Sequence, residues 1–191
     1  MLTGCAVRSN IGPAATDTRK PDPSAADTSE PLLPPRSREL DLSGVDPCTD
    51  LLTDKQLRGL DYDLGYARPP MPGRSLVHGG PTCTFSSSEL AGGQGTDRNM
   101  LTLVGISTTA SASSAAAGTE NPDVVTIHGF SALVLTNPML HYACLVVVDT
   151  ADGQYLDVSS SPVKPAGTEK AEPYCHEARV VARMALETIA S

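Results

Sequence analysis

The sequence predicts an α+β domain in which an antiparallel sheet of four to five strands lies between a short N-terminal helix and a C-terminal helix, clamped by two disulfides. Three observations lead to this fold class: a helix-capping pattern near residue 53, several strand-like segments separated by turn residues, and a helical stripe at the end of the chain. Trp is absent and Phe occurs only twice, so we expect an aliphatic core.

The short N-terminal helix is predicted over roughly residues 53–61. Thr53 and Gln56 have the spacing of a capping box, in which the Thr hydroxyl accepts from the Gln amide and the Gln side chain reaches back. Leu52 and Leu57 occupy the positions of a hydrophobic staple around this box. The helix start is therefore encoded locally.

The strands are predicted in the middle of the chain. The clearest is YACLVVVD, residues 142–149, because its unbroken apolar run is typical of a central strand buried on both faces. A turn at residues 151–154 connects it to YLDVS, residues 155–159. The other predicted strands cover residues 82–87, 100–107 and 132–136. The low-complexity stretch 108–121 is expected to be a mobile loop.

The C-terminal helix is predicted over roughly residues 172–190 from one apolar stripe. The stripe repeats at spacings of 3, 4, 3 and 4 through Cys175, Ala178, Ala182, Ala185 and Ile189. Its side chains are mostly small, so we expect the helix to lie close to the sheet.

Composition divides the chain at about residue 40. Residues 6–40 are rich in Pro, Ser, Thr, Ala and Asp without periodicity, which predicts a disordered tether ahead of a single domain over residues 41–191. Residues 1–40 hold five basic and five acidic side chains, so the net charge of −8 falls on the domain. An acidic domain repels phosphate backbones, and we therefore expect no nucleic-acid partner.

Five cysteines occur, at positions 5, 48, 83, 144 and 175. Setting Cys5 aside leaves an even number, for which three pairings exist. We favour Cys48–Cys83 with Cys144–Cys175, because the first pair would join the N-terminal helical region to the first strand and the second would join the last helix to the central strand. The alternative is four reduced core cysteines in a cytosolic protein. Their spacing is not that of a metal site, so no metal is expected.

The residues around Cys5 suggest a role for the cysteine that the two pairs leave over. Leu2-Thr3-Gly4-Cys5 matches the lipobox of bacterial lipoproteins, in which a diacylglyceryl group is joined to the cysteine sulfur. A complete signal also needs a positive start and an apolar stretch, so we expect Met1 to lie inside that stretch; a chance match is the alternative. Residues 1–5 would then be the remnant of an export signal. Acylated Cys5 would hold the protein in the lipid bilayer, at the extracytoplasmic face of the cell membrane.

The domain is also similar to a known family. The most specific segments are DPCTDLL at residues 46–52 and CHEARVVA at residues 175–182, supported by CTF at residues 83–85 and YACLVVVDTADGQYLDV at residues 142–158. Over about residues 41–190 the chain resembles the domain of unknown function family 3558, small lipoproteins of actinobacteria. The resemblance implies an envelope location and a disulfide-bonded α+β fold, and it implies no activity.

A hydrolytic site is the first catalytic possibility. His78-Gly79-Gly80 is similar to the oxyanion loop of some esterases, but residues 129–133, GFSAL, lack the second glycine of a nucleophile elbow. A site assembled from His78, Ser131 and Asp149 is kept as an alternative.

A cation site is the second possibility. Asp149, Asp152 and Asp157 surround a turn and could suggest calcium, but Ala151 interrupts the alternating oxygen ligands. A hairpin with a solvated acidic turn is the preferred interpretation. The histidines are scattered and are expected at surface or boundary positions: His78, His128, His141 and His176.

The sequence thus favours a membrane-anchored extracytoplasmic lipoprotein that serves as a non-enzymatic binding module of the cell envelope, without a cofactor. Its partner would be another envelope protein or a small hydrophobic ligand held between sheet and helix. The alternatives are a secreted hydrolase, or an accessory or sensory partner of an envelope secretion or signalling system.

Overall fold

The computed structural model describes residues 33–62, 66–68, 80–86, 100–116, 119, 122–137, 140–163 and 170–191. The elements follow in the order α1 (Asp54–Gly59), β1 (Tyr66–Arg68), β2 (Thr82–Ser86), β3 (Met100–Ser107), α2 (Ala112–Ala115), β4 (Asp123–Ile127), β5 (Phe130–Asn137), β6 (Leu140–Ala151), β7 (Gln154–Pro162) and α3 (Glu172–Ile189). The strands form one antiparallel sheet in the order β1-β2-β3-β7-β6-β5-β4. The predicted α+β class is confirmed.

The predicted count of four to five strands is too low, because the described part of the sheet has seven. The two additional strands are its edges. β1 has only three residues, and β4 is a five-residue strand that leaves Val124 49% exposed, so neither is a long buried run of the kind that marks a central strand. Each is held by pairing with its neighbour, β2 for the first and β5 for the second.

Both predicted helices are present. α1 begins after Thr53, and the predicted capping box with Gln56 is formed in both directions. α3 buries the predicted stripe and packs across β6 and β7. A third helical turn, α2, lies inside the stretch predicted as a mobile loop; Ser111 caps it by accepting from the Ser114 amide at 3.2 Å.

The sheet has a covered core on each face, because side chains alternate along each strand. The first face packs against α1 and α3 and holds the larger core, including Phe85, Val104, Val146, Leu156 and Val181. The second face holds a smaller cluster with α2, formed by Leu33, Ala112, Ala116, Leu133, Leu135, Leu145, Val147 and Tyr155. We call the two surfaces the helix face and the strap face.

Both predicted disulfides are confirmed. Cys48 is bonded to Cys83, which fastens the turn before α1 to β2. Cys144 is bonded to Cys175, which fastens β6 to the first turns of α3. The bridges span 35 and 31 residues, so each removes considerable freedom from the unfolded chain, worth about 3–4 kcal/mol in the chain-entropy picture.

The packed chain begins earlier than the predicted boundary at residue 41. Residues 33–42, which we call the strap, belong to no helix or strand, yet Leu33 and Leu42 are only 7% and 1% exposed. The Leu40 amide also donates to the Thr150 carbonyl at 2.8 Å. The predicted tether over residues 6–40 is therefore wrong for residues 33–40, because tertiary contacts order them; residues 6–32 lie outside the described residues.

Candidate functional site

The strap crosses the end of the sheet from one face to the other. Leu33 packs in the cluster on the strap face, and Leu42 packs in the core of the helix face. Between them, the strap passes the turn that joins β4 to β5 and the turn that joins β6 to β7. It contacts the sheet mainly through side chains.

Arg36 is the central side chain of the strap. Its Nη1 donates to both carboxylate oxygens of Asp149, at 3.0 and 2.9 Å, and its Nη2 donates to Asp152. The side chains of Arg36 and Asp149 are 19% and 11% exposed, whereas that of Asp152 is 93% exposed. The hydrogen bond to Asp152 raises the pKa of Arg36, against the lowering effect of burial. A partly buried ion pair of this kind is costly to break on one side only.

Ser37 and Arg38 hold the strap to the β4–β5 turn. Ser37 Oγ donates to the Gly129 carbonyl at 3.0 Å, and Arg38 Nη2 donates to the His128 carbonyl at 2.8 Å. The guanidinium carbon of Arg38 also lies 4.4 Å from the centroid of the Phe130 ring, in a cation–π contact. The turn itself has positive φ at His128 and Gly129, 49° and 83°, as a tight two-residue hairpin turn requires.

An apolar floor lies beneath the N-terminal part of the strap. Leu33 packs there against side chains of β5, β6 and β7 and against α2, and we call this surface, together with Asp149 and Asp152, the strap groove. A cleft of about 520 Å³ remains open beside the strap, with Arg36, Ser111, Ser113 and Asp149 among its lining residues. The groove therefore combines an apolar pocket, an acidic end and free space.

Asp157 is partly buried on the strap face, beside Gly105 and Tyr155, and we call this place the polar corner. Asp157 pairs with Gly105 of β3, and its carboxylate occupies the space where another residue would carry a side chain. Burial raises the pKa of Asp157 from 3.8 to about 7. Burial likewise raises the pKa of the neighbouring Tyr155 to about 12, with the Ser107 hydroxyl acting in the opposite direction.

The structure brings two of the three hydrolase candidates together. Ala132 pairs with Val148, so Ser131 and Asp149 are adjacent positions on neighbouring strands. Both are engaged by the strap: Ser131 Oγ donates to the Pro34 carbonyl at 3.5 Å, and Asp149 binds Arg36. His78 lies outside the described residues.

The acidic turn is a hairpin, as predicted, but its first carboxylate is not solvated. Asp149 is 8% exposed and Asp152 lies in the turn, and both bind a cation that belongs to the chain itself, Arg36. Asp157 lies farther along β7, in the polar corner. Within the described ranges, no group of three or more His, Cys, Asp or Glu could hold a metal ion.

The remaining predicted site residues are placed as follows. His128 and His176 are exposed, which agrees with the expected surface positions. The side chain of His141 and the whole of Cys5 lie outside what the structure describes. No helix among the described residues is long and apolar enough to span a membrane.

Sequence reasoning missed the strap because Arg36 and Arg38 stand in a stretch whose composition resembles a tether. A signal was available: Leu33 and the two arginines flank two prolines, an amphipathic arrangement that differs from the small polar residues before it. Only the distant partners Asp149 and Phe130 give this arrangement a structural meaning.

Comparison with known proteins yields one family. The family model described as "Protein of unknown function (DUF3558)" matches residues 1–188. No curated protein and no solved structure matches the chain.

Proposed function

The chain belongs to the DUF3558 family of proteins of unknown function, and from that premise we propose that it is a membrane-anchored extracytoplasmic lipoprotein, acting as a non-enzymatic binding module of the cell envelope. The observation that carries the proposal is the pairing of the cysteines. Two disulfides use four of the five cysteines, and Cys5, in the lipobox-like Leu2-Thr3-Gly4-Cys5, is outside both.

The disulfides favour an exported protein. Structural disulfides persist in oxidising compartments and are rare in the cytosol, where thiols are kept reduced. One bridge fastens the turn before α1 to β2 and the other fastens β6 to α3, which is the arrangement of structural bonds. An exported domain whose remaining cysteine follows Leu-Thr-Gly fits lipid attachment at Cys5, and two acyl chains would give stable anchoring.

The contacts of the strap favour binding over hydrolysis. Ser131 and Asp149, the two described members of the hydrolase alternative, are both engaged by backbone or side chain of the strap. The same strap leaves a cleft of about 520 Å³ beside it. An apolar surface with a few placed polar groups is typical of a recognition site.

The anchor is tested in the native host with the gene at its own locus. Membrane-extracted protein should contain a diacylglyceryl-modified Cys5 by mass spectrometry, and detergent rather than high salt should release it. Cys5→Ser should move the protein out of the membrane fraction, whereas the control Thr3→Ser, which keeps a small residue at that position, should leave it there. Protein that retains Met1 and an unmodified Cys5 in the cytosol would refute the proposal.

A further inference from the structure

We infer that the strap groove is a peptide-recognition site for an extended segment of the form Leu-Pro-Pro-Arg, and that the chain's own strap fills it until a partner protein presents such a segment. This deepens the proposed binding function by naming the ligand class. It does not depend on the lipid anchor, because every contact involved lies between the strap and the domain.

The first support is that the strap is held as a ligand would be. It has no helix or strand structure of its own, and its Leu33 enters the apolar floor while Pro34 and Pro35 remain exposed. Prolines restrict the backbone before binding, which lowers the entropy lost when such a segment docks.

The second support is charge complementarity. Asp149 is 8% exposed, and Arg36 supplies both hydrogen bonds that its carboxylate receives from the strap. If the strap left without replacement, the Asp149 carboxylate would lose its ion partner and both of these hydrogen bonds. A displacing partner must therefore bring its own cation at the same position, and the planar guanidinium of Arg suits a carboxylate better than Lys does.

The third support is the space beside the strap. The cleft of about 520 Å³ is open between the strap and α2, with the exposed Ser111 at its rim. A partner segment with larger side chains than Pro34 and Ser37 can therefore gain contacts that the strap does not make. This gives an incoming segment a way to compete with the covalently attached one.

The attached strap hides the affinity of the groove. A segment tethered next to its site acts at an effective concentration on the order of 1 mM, so an added peptide must outcompete it. The apparent association constant for the added peptide equals the intrinsic constant multiplied by the fraction of domains in which the groove is open. Weakening the strap within the chain should therefore strengthen binding of a separate peptide.

The experiment uses the purified full chain with both disulfides formed and a fluorescent peptide of residues 31–40, PLLPPRSREL. Fluorescence anisotropy compares the wild type with Leu33→Ser/Arg36→Gln, and we expect the variant to bind the peptide at least tenfold more tightly. A peptide with Gln at the Arg36 position should bind at least tenfold more weakly than the native peptide. Adding Asp149→Asn to the variant should remove this preference for Arg.

A second measurement tests the inference if the double variant folds poorly. The single variant Arg36→Gln keeps Leu33, and the native peptide should raise its melting temperature while the Gln peptide should not. Equal peptide affinities for wild type and double variant, or equal binding of the two peptides, would overturn the inference. Strap-exchanged dimers seen by light scattering would assign the groove to a second copy and would also overturn it. All outcomes are read without lipid, so they are independent of the Cys5 experiment.

Discussion

Tyr62 donates its phenolic hydrogen to Oε1 of Glu177 at 2.7 Å, although 115 residues separate them in the chain. The same hydroxyl lies 2.6 Å from Oγ1 of Thr102, which is itself 3.4 Å from Oγ of Ser160. All four residues are buried. This polar chain lies inside the helix-face core and ties α3 to the segment after α1 and to β3 and β7.

Removing the Tyr62 hydroxyl should destabilise the domain. Tyr62→Phe keeps the ring that stacks on Phe85, with centroids 6.1 Å apart, but it leaves the buried Glu177 carboxylate without this donor. We expect a loss of about 1–3 kcal/mol in the free energy of unfolding, measured by urea denaturation. Glu177→Gln retains an acceptor and should cost less. A Tyr62→Phe variant as stable as the wild type would contradict this role.

The fold class and the disulfides could be predicted because their signals are local or one-dimensional. The capping box at Thr53 and Gln56 needs only three residues of separation, and the stripe on α3 follows from helical periodicity. The run at residues 142–149 has the length and apolarity of a central strand. Each bridge then joins two elements that were already recognisable.

The edge strands were not predicted because they are short and partly exposed, and the strap could not be predicted because its order depends on distant partners. β4 becomes a strand by pairing with β5, although Val124 is 49% exposed. The strap is ordered by contacts such as that of Arg36 with Asp149, 113 residues away. The composition near residue 36 carries no information about a partner so far along the chain. The segment therefore has the appearance of a tether in the sequence.

We expect position 105 to require glycine, because the side chain of its cross-strand partner Asp157 fills the space beside it. A Cβ at this position would lie 2.5 Å from Oδ1 of Asp157 and 3.0 Å from its carboxyl carbon. Gly105→Ala should therefore cost about 1–3 kcal/mol of unfolding free energy, although alanine normally favours a strand more than glycine does. The double variant Gly105→Ala/Asp157→Ala should regain most of this loss in urea denaturation. A Gly105→Ala variant more stable than the wild type would contradict the close packing of the Asp157 carboxylate against position 105.

Asp157 should make the stability of the domain fall as pH rises. Burial raises its pKa from 3.8 to about 7, so the folded state holds a proton that the unfolded state has released. The stabilisation is complete below pH 3.8 and is lost as pH rises through about 7. Tyr155 does not titrate in this window, since its pKa of about 12 lies well above it.

The pH effect is measured against a matched variant. Urea denaturation of the wild type and of Asp157→Asn is compared from pH 4 to pH 8, so that groups common to both proteins cancel. Relative to the variant, the wild type should lose on the order of 1–2 kcal/mol, less than the full pKa difference would give because Asp157 is only partly buried. A difference that stays constant over this range would argue against a raised pKa of Asp157.

The two disulfides should differ in their reduction by small thiols. Cys48 is partly exposed, and a cleft of about 450 Å³ whose lining includes Val45, Pro47 and Pro81 opens beside it, whereas Cys144 and Cys175 are 1% and 3% exposed. An attacking thiolate must reach a sulfur, so Cys48–Cys83 should be reduced first under native conditions.

Time-resolved alkylation and peptide mapping in dithiothreitol measure this order. Loop entropy cannot produce the difference, because the bridges span similar lengths of 35 and 31 residues. In concentrated urea the access difference disappears, so both bonds should then be reduced at similar rates, which serves as the control. Earlier labelling of Cys144 and Cys175 in the native protein would mean that the first turns of α3 open more readily than the segment around Cys48, contrary to the burial of the two sites.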